Sequence, residues 1–247
     1  MLAVVTAVAV GLVINRQPPA PEPGIDVARA EAANAAAVQA RVDRDRAVLE
    51  AATVPLIFPA DGKPLRVLYS GDSNIAGFYS STEDKAFRPL VTSELLKSGA
   101  VEEVHTYKPG ATTMYIRDNF DMPKDIGLAV ISLGTNWSRE DGGAVAFGQR
   151  YDAYLSAIKA ANPSVQILCL GIWARTNSET QPFIEELSRT CDANGGRFVD
   201  LQALYVAAAN LSGPEGRDTW AGKSDASHPN DYGHQAIADE ILKRIRR

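Results

Sequence analysis

From Pro64 onward, two kinds of apolar and polar pattern alternate along the chain. Leu65–Ser70 (LRVLYS), Glu103–Tyr107, Leu128–Leu133 (LAVISL), Val165–Leu170 (VQILCL) and Arg197–Asp200 are short runs rich in aliphatic and β-branched residues, and they read as five strands. LAVISL is nearly unbroken in its apolar character, as a strand buried on both faces must be. The longer segments between them carry helix stop signals: Ala86–Ser98 ends at Gly99, Ala144–Ala161 at Asn162-Pro163, and Glu179–Ala193 at Asn194-Gly195-Gly196. Tyr232–Ile245 reads as a closing helix. Strands alternating with helices predict βαβ units, hence an α/β fold with a mainly parallel five-stranded sheet covered by helices. Ligands of such sheets bind beyond the carboxyl ends of the strands, so candidate chemistry is sought in the residues that follow each strand.

The first sixty residues follow another pattern. Met1 to Ile14 is uncharged and almost wholly apolar. A helical span of a bilayer needs about 20 residues, so this length suits the core of an export segment or an anchor. No basic residue precedes it and no small-x-small cleavage site follows; the other reading is a buried or partner-bound helix. Gln17–Gly24 (QPPAPEPG) is a stiff, extended spacer. Ile25–Thr53 is rich in alanine, opens on Asp26 as an N-cap, and stops at Val54-Pro55, which predicts a helix. Its apolar stripe (Val27, Ala30, Val38, Val42, Leu49) keeps no heptad, so the helix reads as solvated, either linking the N-terminal segment to the domain or packing on the domain's side. The organisation expected is an apolar export or anchor segment over 1–16, a Pro-rich spacer and Ala-rich helix over 17–60, and one α/β domain over 61–247. Such a chain would be exported or membrane-anchored on the extracytoplasmic side, with residues 1–14 as its membrane contact; without that segment's function it would be cytoplasmic.

Apolar residues make up 45% of the chain and charged residues 22%, enough for a core that needs neither metal nor disulfide to hold it. The net charge is −5, and the one basic cluster, Lys243, Arg244, Arg246 and Arg247, suits the negative end of a helix. This excludes nucleic acid as a partner; oligomeric state is not encoded in these features. Cys169 reads as a small core residue of its strand and Cys191 lies near a helix end, so the two cysteines read as neither a disulfide framework nor a metal site.

Four polar blocks lie where ligand contacts are expected. Gly71-Asp72-Ser73-Asn74 follows the first strand and places a serine at the start of a helix, exposed as a nucleophile should be. Lys108-Pro109-Gly110-Ala111 follows the second, where a glycine lets a backbone N–H approach an anion. Gly134-Thr135-Asn136-Trp137 follows the third and supplies an amide donor. Asp225-Ala226-Ser227-His228 precedes the last helix; an aspartate three residues before a histidine can hold one ring nitrogen and leave the other to accept a proton from serine. Each block alone is compatible with an ordinary turn or cap. Their joint occurrence, in order, on one edge of one sheet, is what carries chemical meaning.

These blocks resemble those of the SGNH (GDSL-type) hydrolase superfamily, with Ser73 in GDSN, Gly110 in KPGAT, Asn136 in GTNW and His228 in DASH; the resemblance covers about Leu65 to Arg247. It implies a three-layer α/β/α sandwich of flavodoxin type and a serine esterase acting through an acyl-enzyme. Ser73 would be nucleophile, His228 base and Asp225 its partner, with Ser73, Gly110 and Asn136 forming the oxyanion hole and no metal or cofactor. A histidine base implies a rate that falls as pH drops. Two positions depart from the family pattern, Asn74 in place of Leu and Gly-Thr-Asn-Trp in place of Gly-x-Asn-Asp. Asn74, Trp137 and Trp173 are therefore candidate substrate contacts, within a rim that also includes Phe78, Tyr79, Arg175 and Trp220. Asp72 is expected to hydrogen-bond its own loop, and His105 and His234 to be structural. Short loops without a lid favour a small acyl group, O-acetyl or similar, on a carbohydrate or other polar carrier. The alternatives are a lipase, thioesterase or acyltransferase of the same superfamily, or a membrane-tethered, non-catalytic binding or assembly module.

Overall fold

The computed structural model describes residues 27–207 and 212–246. The chain divides into two units, 1–47 and 48–247. The apolar run at 1–14 and the Pro-rich spacer lie outside the described residues. Helix α1 (Val27–Ala52) has 26 residues, 11 of them alanine, the best intrinsic helix former. Among the described residues no helix is long and apolar enough to cross a membrane.

The second unit contains the five expected strands and four expected helices in their expected order, with a helix over Thr113–Asn119 and several short elements added between them. After a short strand β1 (Val54–Pro55) come β2 (Leu65–Gly71), α2 (Ser73–Ala76), α3 (Phe87–Leu96), β3 (Val101–Tyr107), α4 (Thr113–Asn119), β4 (Ile126–Ser132) and α5 (Gly143–Ala161). They are followed by β5 (Gln166–Leu170), α6 (Gln181–Ala193), β6 (Arg197–Val199), α7 (Gln202–Ala207), a hairpin β7 (Asp218–Thr219) and β8 (Gly222–Lys223), α8 (Asp231–Lys243) and β9 (Ile245–Arg246). Five strands form one parallel sheet in the order β3-β2-β4-β5-β6, while β1 pairs with β9 separately. The direction of winding reverses between β3 and β4, one on each side of β2. That reversal opens a crevice at the carboxyl ends of β2 and β4.

The strand alternation sorts side chains onto two apolar layers. Leu68, Ala129, Ile131, Ile167 and Cys169 face Phe147, Tyr151, Leu155 and Leu187 of α5 and α6. Val67, Tyr69, Leu128, Val130 and Leu168 face Phe87, Val91, Ile237 and Ile241 of α3 and α8. Each fully buried Leu, Ile or Phe in these layers contributes about 1.5–3 kcal/mol. β4 lies at the centre and is buried along nearly its whole length. β3 lies at the edge, and its sequence VEEVHTY is polar to match. There Glu103 meets Arg88 and the His105 ring, the latter at 2.6 Å. Although burial raises the Glu103 carboxyl, bonds from His105 and Thr92 and the Arg88 charge bring it down to about 2. His105 thus takes the structural place expected for it.

Asn162 does two jobs at the end of α5. Its side-chain amide donates to the Ile158 and Pro123 carbonyls, and its oxygen accepts from Ile126 N–H at 2.9 Å, so the helix stop also anchors the start of β4.

The cysteines correct the sequence reading. Cys169 on β5 and Cys191 on α6 form a disulfide, with Cα atoms 6.2 Å apart. They are 22 residues apart in the chain. Only the packing of α6 over β5 brings them together, which is why spacing alone did not reveal the pair.

Candidate active site

β2 ends in a sharp turn that presents Ser73. Gly71 lies so close to β4 that a Cβ there would stand 2.1 Å from the Ser132 carbonyl oxygen. Asp72 is completely buried and caps α2, its carboxylate accepting the Asn74 N–H at 3.0 Å. This is the loop-holding role expected from the sequence. Burial pushes the Asp72 carboxyl up to about 7, against the bonds from its own loop. Ser73, the first residue of α2, is 7% exposed at the end of the strand.

His228 reaches Ser73 from the irregular stretch before α8, its Nε2 lying 2.8 Å from Ser73 Oγ. The other ring nitrogen, Nδ1, lies 2.6 Å from Asp225 Oδ2. The second carboxylate oxygen of Asp225 accepts from the Ser227 and His228 backbone N–H groups, both at 2.8 Å, and from Ser227 Oγ at 3.0 Å. Partial burial alone would raise the Asp225 carboxyl, but these bonds and the facing imidazole hold it below the usual carboxylate range. An ionised Asp225 can only accept, so Nδ1 carries the proton and Nε2 is left to accept the serine hydroxyl.

Gly110 follows β3 in a left-handed conformation (φ 75°) that favours glycine. Among the described residues, neither the Gly110 nor the Ser73 backbone N–H donates a hydrogen bond. Asn136 follows β4, and its amide nitrogen donates to the Ala111 carbonyl at 3.1 Å and, more weakly, to Asp72 at 3.4 Å. Ser73, Gly110, Asn136 and His228 line one open cleft of about 420 Å³, together with Phe78, Tyr79 and Arg139. Tyr79 meets the His228 ring edge-on at 5.2 Å. The chain therefore brings to one cavity a hydroxyl, an oriented imidazole and two residues whose backbone N–H groups have no acceptor among the described residues.

The other candidates are placed differently. Asn74 is buried and donates to Thr135 Oγ1 at 3.1 Å, while Trp173 is 3% exposed and donates to the Ser227 carbonyl at 2.9 Å. Both touch a smaller adjoining hollow of about 190 Å³ that also borders His228. Trp137 packs on Phe183 at 6.0 Å, against the apolar layer. Trp220 stands edge-on to Phe78 and donates to Ser80 Oγ at 3.1 Å; Arg175 is exposed beyond β5. His234 is fully buried, accepting from Phe87 N–H and donating to the Phe78 carbonyl at 3.1 Å, so it supports the cleft wall from behind. Arg139 went unnoticed in the sequence because it belongs to none of the four blocks. A larger hollow of about 520 Å³ around Lys85, Arg217 and Tyr232 contains neither Ser73 nor His228. Among the described residues no group of three or more His, Cys, Asp or Glu side chains could hold a metal.

Residues 70–236 match the model of the GDSL-like Lipase/Acylhydrolase family. No curated protein sequence matches the chain. Among solved structures, an acetyl xylan esterase is similar at 19% identity and a TM-score of 0.54, over 72% of this chain and 98% of its own. A two-domain esterase active on acetylated mannans is similar at 18% identity and a TM-score of 0.57, over 74% of this chain and 49% of its own. The psychrotrophic esterase EstA of a Pseudoalteromonas species is similar at 13% identity and a TM-score of 0.55, over 73% of this chain and 96% of its own. At these identities the structures speak for the fold, and the family match, which spans most of the chain, speaks for descent. The chain belongs to the GDSL-like lipase/acylhydrolase family and is a serine ester hydrolase of the GDSL/SGNH type.

Proposed function

We propose that the chain cleaves a short acyl ester, O-acetyl or similar, carried on a carbohydrate or another polar molecule, through Ser73, His228 and Asp225. The observation that carries this reading is the 2.8 Å approach of His228 Nε2 to Ser73 Oγ, with Asp225 on the opposite ring nitrogen. His228 takes the hydroxyl proton as Ser73 Oγ bonds to the ester carbonyl carbon, and Asp225 stabilises the imidazolium. The negative charge on the carbonyl oxygen is received by the Ser73 and Gly110 N–H groups and by the Asn136 amide, which gives up its long bond to Asp72. The tetrahedral adduct collapses, His228 returns the proton to the leaving alcohol, and an acyl-serine remains. Water, deprotonated by the same imidazole, releases the acid and restores Ser73. The open cleft and the absence of a lid among the described residues favour a small acyl group on a bulky polar alcohol. The acetylated-glycan esterases among the similar structures support the carbohydrate carrier.

Ser73→Ala is expected to lower turnover of p-nitrophenyl acetate by at least about 10⁴-fold, leaving only what the remaining donors supply. A phosphonate ester is expected to label Ser73 alone, read by mass spectrometry of peptides. Full activity in the alanine variant would end this proposal.

We further propose that residues 61–247 act outside the cytoplasm, with residues 1–16 as an export or anchor segment. The Cys169–Cys191 disulfide supports this, because such bonds persist in oxidising compartments. Alkylation of protein taken from its native location under denaturing conditions is expected to find no free thiol; two alkylated cysteines would remove that support.

A further inference from the structure

The cleft of Ser73 and His228 is lined by one permanently charged side chain, Arg139. It ends the single turn Trp137–Arg139 that follows Asn136, so β4 fixes its approach to the site. Its guanidinium lies directly on Gly110: Nη1 donates to the Gly110 carbonyl at 3.4 Å, and a Cβ at position 110 would stand 2.6 Å from Nη1. A side chain at position 110 would oblige the flexible end of Arg139 to shift, and the left-handed backbone there favours glycine in any case. Among the described residues Arg139 pairs with no carboxylate. Three acids of this region are committed elsewhere. Glu140 takes Arg150 at 3.0 Å and the Thr113 N–H at 2.8 Å, Asp72 caps α2, and Asp225 holds His228.

A guanidinium has five donors in a planar fork, matched to two oxygens of a carboxylate or phosphate. Here one long bond to a carbonyl uses one of them. The chain as a whole is acidic, at net −5, so a guanidinium that meets no carboxylate among the described residues and lines the cleft of the nucleophile stands out as a local positive group. We propose that Arg139 determines specificity: the ester carries an anionic carboxylate or phosphate near the scissile bond, and Arg139 binds that group while the carbonyl lies at Ser73. The substrate class is then an O-acyl ester of an acidic carrier, an acidic sugar being the form consistent with the carbohydrate reading on which this inference rests.

The test uses three matched aryl acetates: neutral methyl 4-acetoxybenzoate, 4-acetoxybenzoate and 4-acetoxyphenyl phosphate. Their kcat/KM values are measured for the full-length protein and for its Arg139→Gln and Arg139→Lys variants. In Arg139→Gln the ratio of anionic to neutral kcat/KM is expected to fall about tenfold for the carboxylate or the phosphate, the size of one charge-assisted pair. The fall should lie mainly in KM; Arg139→Lys should recover part of it, and high salt should erode the wild-type ratio. The two anionic arms separate a carboxylate from a phosphate carrier. If Arg139→Gln lowers all three substrates in the same proportion, Arg139 merely orders the Gly110 loop and the inference fails while the esterase reading stands. If the wild-type protein cleaves none of the three and no phosphonate labels Ser73, the esterase reading falls and this inference with it.

Discussion

Ser73 and His228 meet at 2.8 Å, yet they are held in place in opposite ways. The nucleophile turn is fixed by the sheet. Gly71 abuts the β4 backbone, Asp72 is buried and caps α2, and Ser73 is almost enclosed. The histidine belongs to an irregular segment with little regular structure beneath it. It is held by a knot within four residues, in which Asp225 accepts from Ser227 and His228, by the Trp173 bond to the Ser227 carbonyl, and by backbone bonds from Gly213 to His228 and from Tyr79 to Pro229. A position set by strand packing is costly to shift and insensitive to single side chains. The backbone of the histidine has several supports, but its ring depends on one carboxylate for both orientation and charge.

The sharpest way to break this comparison is Asp225→Asn. The amide can accept from the backbone but can also present a donor to Nδ1, favouring the wrong tautomer at His228. Turnover is expected to fall by about 10⁴-fold with little change in thermal stability. Comparable rates for both proteins would mean that the knot does not orient the ring. On the other side, Gly71→Ala should act on the fold before the chemistry. Its Cβ would collide with the β4 backbone, so a loss of about 3 kcal/mol in urea unfolding is expected. An alanine variant as stable as the parent would show that β2 and β4 can separate at that point.

The smallest effect concerns the wall behind the site. Burial lowers the His234 imidazole to about 4, so the folded state keeps it neutral where an unfolded chain would protonate it. This contribution to stability is present above the unfolded value of 6.5 and is lost as pH falls from there toward 4. Asp72 works in the reverse sense. Its raised carboxyl holds a proton in the folded state between 3.8 and about 7, favouring folding as pH falls through that window. Melting temperatures of the parent and of His234→Gln at pH 7 and pH 5 separate the two. The parent should lose more on acidification than the variant does; equal shifts would mean that His234 is not the group responsible.

Particular residues mark how much of this was legible in advance. LAVISL could only be a strand enclosed on both faces, and it is the central β4. Helix α4 was not anticipated, because TMYIRDN is two turns with no periodic stripe to reveal it. Trp137 and Trp173 read as rim residues because they follow strand ends; Trp137 packs on Phe183, while Trp173 donates to Ser227 and still borders the hollow beside His228. An aromatic residue after a strand has the same appearance in a sequence whether it turns outward or inward.

The sequence by itself determined the alternation of strands and helices, the four polar blocks and the pairing of Asp225 with His228. Those features depend on side-chain periodicity and on contacts within a few residues, where the backbone leaves few alternatives. Only the tertiary structure decided the strand order that opens the crevice beside β2, the joining of Cys169 to Cys191, and the seating of Arg139 on Gly110. Each of these depends on which distant segments pack together, and that choice is made by the burial of the whole apolar sheet rather than by any local pattern.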